Sequence, residues 1–155
     1  MATVRTYLTV IDDQPEARVA LRFAARRAAK TGGAIAILAL VPPAEFVHWS
    51  GVQAAMEEEE RLRIDAMVAE AAGALIEETG LKPEIIVRQG DPVAVVRAML
   101  KERPDVAALV LGAAASGSGP GPLVAYFAGA EAGLMPCPVM IIPGSLKDEA
   151  LDRLS

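Results

Sequence analysis

The chain has 155 residues, 53% hydrophobic but only 4% aromatic, with a net charge of −5 from 20 acidic and 15 basic side chains; that length suits one domain with a core of Ala, Val, Leu and Ile. The acidic balance and the lack of a Lys/Arg stripe argue against a nucleic-acid partner. No apolar run approaches the ~18 residues of a membrane span and Met1 to Tyr7 carries no signal-peptide core, so a cytoplasmic protein with no membrane partner is expected. A single cysteine, Cys137, and a single histidine, His48, exclude an internal disulfide and leave too few soft ligands for a zinc cage.

Val4 to Ile11 reads as a first strand, and Asp12-Asp13-Gln14-Pro15 as a loop and helix start. From Glu16 to Lys30, Ala20, Phe23, Ala24 and Ala28 recur at helical spacing, with Arg18, Arg22 and Arg26 on another face. That pattern predicts an amphipathic surface helix stopped by Gly32 and Gly33. Ala34 to Val41 has no polar residue and predicts a central strand covered on both faces.

Pro42 to Gln53, with His48 and Trp49, shows neither period and reads as a surface loop. Ala54 to Thr79 predicts a long helix with Ile64, Met67, Val68, Ala71 and Leu75 inward, supported by the pairs Glu57 to Arg61 and Glu59 to Arg63. Glu84 to Arg88 reads as a short strand, Gly90-Asp91-Pro92 as a turn and cap, and the next helix runs to about Glu102. Val106 to Leu111 is a fourth strand, Leu123 to Leu134 a last helix, Val139 to Ile142 a fifth strand. Residues 1–144 form the domain, and 145–155 read as a polar tail.

Alternating strands and helices predict an α/β fold, a mainly parallel sheet with helices on both faces, because each parallel crossover needs a dozen or more residues. Ligands of such sheets bind beyond the carboxyl ends of the strands. Asp12 is placed there, able to accept from a nucleobase amine or hold magnesium; the bland alternative is a solvated Asp12 with Asp13 capping the helix. A receiver-domain reading fails because Pro143-Gly144 stands where a lysine is required after the fifth strand, and Asp91 is better explained by capping.

The loop from Gly112 to Pro122 combines small residues, the hydroxyls of Ser116 and Ser118, and free amides ahead of a helix. It is neither a Walker loop nor a Rossmann fingerprint. From Pro104 to Leu146 there is no Lys or Arg, so a polyphosphate there has no positive side chain to meet it. With a lone histidine, no Ser/His/Asp set is assignable, and neither a catalytic residue nor a metal site is expected.

Three stretches carry a resemblance: Leu8-Thr9-Val10-Ile11-Asp12 leading to Ala20-Leu21, Gly90-Asp91-Pro92, and Leu109-Val110-Leu111-Gly112 closing with Pro136-Cys137-Pro138-Val139. Together with the order of elements over Thr6 to Pro143, they resemble the universal stress protein family. The resemblance implies a single open five-stranded parallel sheet, order 3-2-1-4-5, of the Rossmann-like, adenine nucleotide alpha hydrolase-like kind. It also implies a homodimer joined at Val139, Met140, Ile141 and Ile142.

Members that bind ATP carry a Gly, two residues, a second Gly, nine residues, then Gly-Ser or Gly-Thr. Aligned without gaps, this chain keeps only Gly112: Ala115 replaces the second glycine, Ala125-Tyr126 the Gly-Ser pair, and Ala114 the usual basic residue. An alanine forced to positive φ is strained, and Tyr126 adds bulk at the helix start. The base end, Asp12 with Leu40, is better kept.

The expected function is therefore a stress-associated regulatory or interaction protein with an unidentified protein partner, no cofactor, and no ATP bound through the usual motif. The alternative is an adenine-nucleotide sensor or slow ATPase taking ATP and Mg at Asp12, Leu40, Leu111, Gly112, Ser116, Gly117 and Ser118. A nucleotide-activating ligase domain is disfavoured by the absence of a basic or metal-binding motif at the loop.

Overall fold

The computed structural model describes residues 4–41 and 50–155, leaving out the side chains of 50–53. The elements run β1 (Thr6–Ile11), α1 (Pro15–Thr31), β2 (Ala34–Val41), α2 (Ser50–Thr79), β3 (Glu84–Gln89), α3 (Pro92–Glu102), β4 (Val106–Ala113), α4 (Pro122–Phe127), a single 3-10 turn (Ala132–Leu134), β5 (Val139–Pro143) and α5 (Asp148–Leu154). All strand pairs are parallel, in the order β3-β2-β1-β4-β5. The chain therefore folds as the α/β sheet its alternating pattern predicts.

The period of two along each strand sorts side chains between two cores. Tyr7, Ile11, Ile35, Ile37, Ala39, Ala108 and Val110 face α1, α2 and α5. Leu8, Val10, Ala36, Leu38, Leu109 and Leu111 face α3 and α4. Both sides of β1, β2 and β4 are dry, which is why these segments carry almost no polar residue. Thr9 in the central strand is fully buried and donates its hydroxyl to the Val110 carbonyl at 3.1 Å, so its side chain is not orphaned.

Several elements differ from the sequence pattern. Residues 50–53 are already helical, so α2 begins before Ala54; His48 and Trp49 lie outside the described residues. The last predicted helix is cut to Pro122–Phe127, and only the 3-10 turn Ala132–Leu134 follows. Gly129 and Gly133 lower helix propensity there.

The predicted polar tail contains α5, whose Leu151 is 1% exposed within the core shared with α1 and α2. The arginine face of α1 is covered in part: Arg18 pairs with Glu70 and stays exposed, whereas Arg22, paired with Glu78 and Asp152, is partly buried. Arg22 Nε and Nη2 donate to the two Asp152 oxygens at 3.1 Å each, and Lys30 Nζ donates to the Asp152 carbonyl at 3.0 Å.

At the amino ends of the strands, Arg103 joins three elements. It donates to both oxygens of Glu84 on β3, at 2.8 and 3.0 Å, and to both of Asp105, at 2.9 Å each. Thr6 of β1 donates to Asp105 at 3.1 Å. The Arg103 hydrogen bonds hold the Asp105 carboxyl down at about 2, below its ordinary 3.8.

A depressed acid binds its proton later in the folded state than in the unfolded chain. This stabilisation is therefore complete above the unfolded value and is lost as pH falls from 3.8 toward about 2. Asp105→Asn is expected to flatten that acid limb in urea melts recorded against pH. At neutral pH it should cost roughly 1 kcal/mol or less, since the pair is partly solvated.

Candidate functional site

Chain order places β1 beside both β2 and β4, so the crossovers diverge at the carboxyl ends of β1 and β4, where open sheets leave a recess. A cavity of about 320 Å³ opens there. Its apolar walls come from Val10, Leu40 and Leu111, with Ile64 and Met67 of α2 on one side and Pro122 to Val124 on another. Asp12, Asp13, Gln14 and Glu16 bring the polar groups.

Asp12 does not cap α1 in the usual sense, but its Oδ1 accepts the Gln14 N–H at 2.9 Å and fixes the turn out of β1. Gln14, not Asp13, occupies the cap position, and its side chain makes no cap bond. The capping half of the bland reading is thus corrected, because Asp13 turns to Arg63 of α2, 3.2 Å from its Nη1, while Asp12 is exposed as that reading has it. Asp12 is open to the recess, yet the protein around it displaces water and raises its carboxyl above 3.8. The Gln14 bond opposes that rise, and the charges of Glu16 and Asp13 add to it.

Of the residues singled out in sequence, Asp12, Leu40, Leu111 and Gly112 line one cavity, whereas Ser116, Gly117 and Ser118 are exposed and outside its lining. The same loop reaches the cavity through Pro120 and Gly121 instead. Its amide at Ala114 is spent on the Pro120 carbonyl at 3.1 Å, which closes the loop on itself.

The expected strain at Ala115 does not arise: no described non-glycine residue has positive φ. The left-handed positions have moved to Gly117, Gly119 and Gly121, with φ of 101°, 150° and 106°. Tyr126 adds no bulk to the cavity either; it accepts from Arg97 of α3 at 3.0 Å and packs edge-on against Phe127.

Gly112 has a steric reason to be glycine. A Cβ there would stand 2.1 Å from the backbone oxygen of Glu16, so the first turn of α1 rests directly on β4.

Arg63 was not singled out in sequence as a site residue. Among the described residues it is the one cation lining the cavity. The i,i+4 pattern assigned it to Glu59, but it bonds Glu60, with Nε at 3.1 Å and Nη2 also engaged, as well as Asp13. Its tie to a loop fifty residues away has no local sequence signal.

No three His, Cys, Asp or Glu side chains among the described residues are grouped to hold a metal ion. Cys137 is half-buried, and burial pushes its thiol above the ordinary value. No described helix is long and apolar enough to cross a membrane.

A five-stranded parallel sheet in this order, with a recess over its switch point, defines a Rossmann-like α/β domain. Residues 3–143 match the family model described as the universal stress protein family. The chain belongs to that family.

Among solved structures it is similar to the universal stress protein UspA from Lactobacillus plantarum, at 18% identity and a TM-score of 0.75, covering 92% of this chain and 99% of that one. It is also similar to a universal stress protein in complex with cAMP, at 17% identity and a TM-score of 0.66, covering 93% and 100%. A third is the universal stress protein from Archaeoglobus fulgidus in complex with dAMP, at 18% identity and a TM-score of 0.55, covering 91% and 99%. No curated protein sequence matches significantly.

Proposed function

We propose that this chain is a cytoplasmic, stress-associated regulatory or interaction protein that performs no chemistry of its own and does not hold ATP through the usual glycine motif. The observation that carries this reading is the parting of the loop from the cavity: Ser116, Gly117 and Ser118 are outside the lining, and no basic residue accompanies them between Pro104 and Leu146. A triphosphate would find no loop cation there. The partner is an unidentified protein, and two copies pair along β5, an edge strand whose Ile141 is 36% exposed.

A second reading, ligand sensing at the base end, is favoured by the convergence of Asp12, Val10, Leu40 and Leu111 on one cavity. Apolar walls with carboxylate acceptors beside them suit a heteroaromatic base bearing an amine. The neighbours whose structures contain cAMP and dAMP lend this reading support at the level of the fold.

Calorimetric titration of the purified chain tests both. Magnesium ATP is expected to show no micromolar binding, and such binding would overturn the first reading. Adenosine is expected to bind, and Asp12→Ala to weaken it by about tenfold, the worth of one charged hydrogen bond. Unchanged affinity in Asp12→Ala would sink the assignment of the base to that carboxylate.

A further inference from the structure

The charge of the cavity is set by three elements that sequence does not bring together. Asp12 and Asp13 leave β1, Glu16 belongs to the first turn of α1, and Arg63 comes from α2. Three acidic residues and one arginine therefore line the cavity, and that guanidinium is already shared between Asp13 and Glu60. The start of the loop adds no compensating cation.

Glu16 is the most telling of the three. Its Cβ is 3.0 Å from where a Cβ on Gly112 would stand, and 3.0 Å from the corresponding point on Gly144. Its Cβ thus lies over the carboxyl end of β4, at the root of the glycine loop, and the residue lines the cavity. A phosphate extending from the cavity toward that loop passes an acidic residue where an anion site needs donors or positive charge.

Size points the same way. About 320 Å³ lies at the small end of ligand pockets, which run from roughly 300 to 1,000 Å³. The apolar walls suit a flat base and sugar better than a chain of charged groups.

We propose that this cavity is a nucleoside site that discriminates against phosphorylated ligands, with Glu16 as the residue that enforces the discrimination. The proposal rests on the base-end reading of the same cavity and adds a charge class to it. Each negative charge brought near Glu16 and the two aspartates is repelled, and the repulsion weakens with salt. Asp13 acts in the same sense through Arg63, because it occupies the one cation that would otherwise answer a phosphate.

The experiment is calorimetric titration of the full chain with adenosine, AMP and ATP, at low and high ionic strength, for the wild type, Glu16→Gln and Asp13→Asn. Adenosine is expected to bind tightest, AMP about tenfold weaker and ATP weaker still, with high salt compressing the series. Glu16→Gln is expected to narrow the AMP-to-adenosine ratio to within about threefold. Asp13→Asn, which releases Arg63 Nη1 while Glu60 keeps Nε and Nη2, should narrow it independently and guards against a folding defect in the first variant.

AMP or ATP binding more tightly than adenosine overturns the proposal while leaving base recognition intact. So does a ratio that neither variant moves. Absence of binding by all three ligands overturns the base-end reading and this proposal with it.

Discussion

Gly112→Ala is expected to destabilise the chain by about 3 kcal/mol, lowering the melting temperature by roughly 6 to 12 °C for a domain of this size. The new methyl would sit 2.1 Å from the Glu16 carbonyl oxygen and 2.6 Å from its carbon, both backbone atoms of a helix that cannot swing aside as a side chain would. Relief requires α1 to lift from β4, and α1 also buries Ala17, Ala20, Leu21, Ala24 and Ala28. Thermal melts of Gly112→Ala beside Gly117→Ala separate two roles of glycine in the same loop. Nothing lies within 4 Å of a Cβ on Gly117, so its substitution costs only the left-handed backbone, about 1 to 2 kcal/mol. Equal losses in the two variants would show that the close approach to α1 is not what constrains Gly112.

Leu151→Ala should remove 2 to 4 kcal/mol, measured by urea unfolding, as expected when a buried leucine leaves a partly collapsed cavity. The side chain is 1% exposed and joins the core that includes α1 and α2. Asp152, its neighbour in sequence, is held by Arg22 and Arg26, and its backbone carbonyl by Lys30. A single undiminished unfolding transition in Leu151→Ala would mean that α5 does not belong to the cooperative unit. Raised salt should weaken the polar side of this contact and leave the leucine contribution in place.

Why α5 is illegible in sequence follows from those same contacts. The segment 145–155 holds three leucines among mostly polar residues, and nothing local shows that Leu151 will be covered. The groups that hold it lie more than a hundred residues earlier. The strands β2 and β4 were legible for the opposite reason: burial on both faces writes itself into every residue, as in Ala34 to Val41. Chain alternation predicted the parallel sheet, but no periodicity carries the order of its strands; that expectation came from the family resemblance.

The site divides in the same way. Asp12, Leu40, Leu111 and Gly112 are legible because each closes or nears the end of a strand, and parallel sheets bring those ends together. Arg63 is not, because only the crossing of α2 over the β1 to α1 turn makes it a cavity residue. Composition does not sort the loop. Glycine and serine look alike whether they meet a ligand, water or a packed neighbour, and only the fold shows that Gly112 lies against Glu16 while Gly117, Gly119 and Gly121 have open space at Cβ.

The network of Arg103 with Glu84, Asp105 and Thr6 cross-links β1, β3 and the turn into β4 at one end of the sheet, while at the opposite end the Asp13 to Arg63 bridge ties the turn out of β1 to α2. Charged side chains therefore tie the sheet to its helices at both ends, and at the mouth the backbone contact of Gly112 with the start of α1 adds a fixed point that neither salt nor acid can loosen.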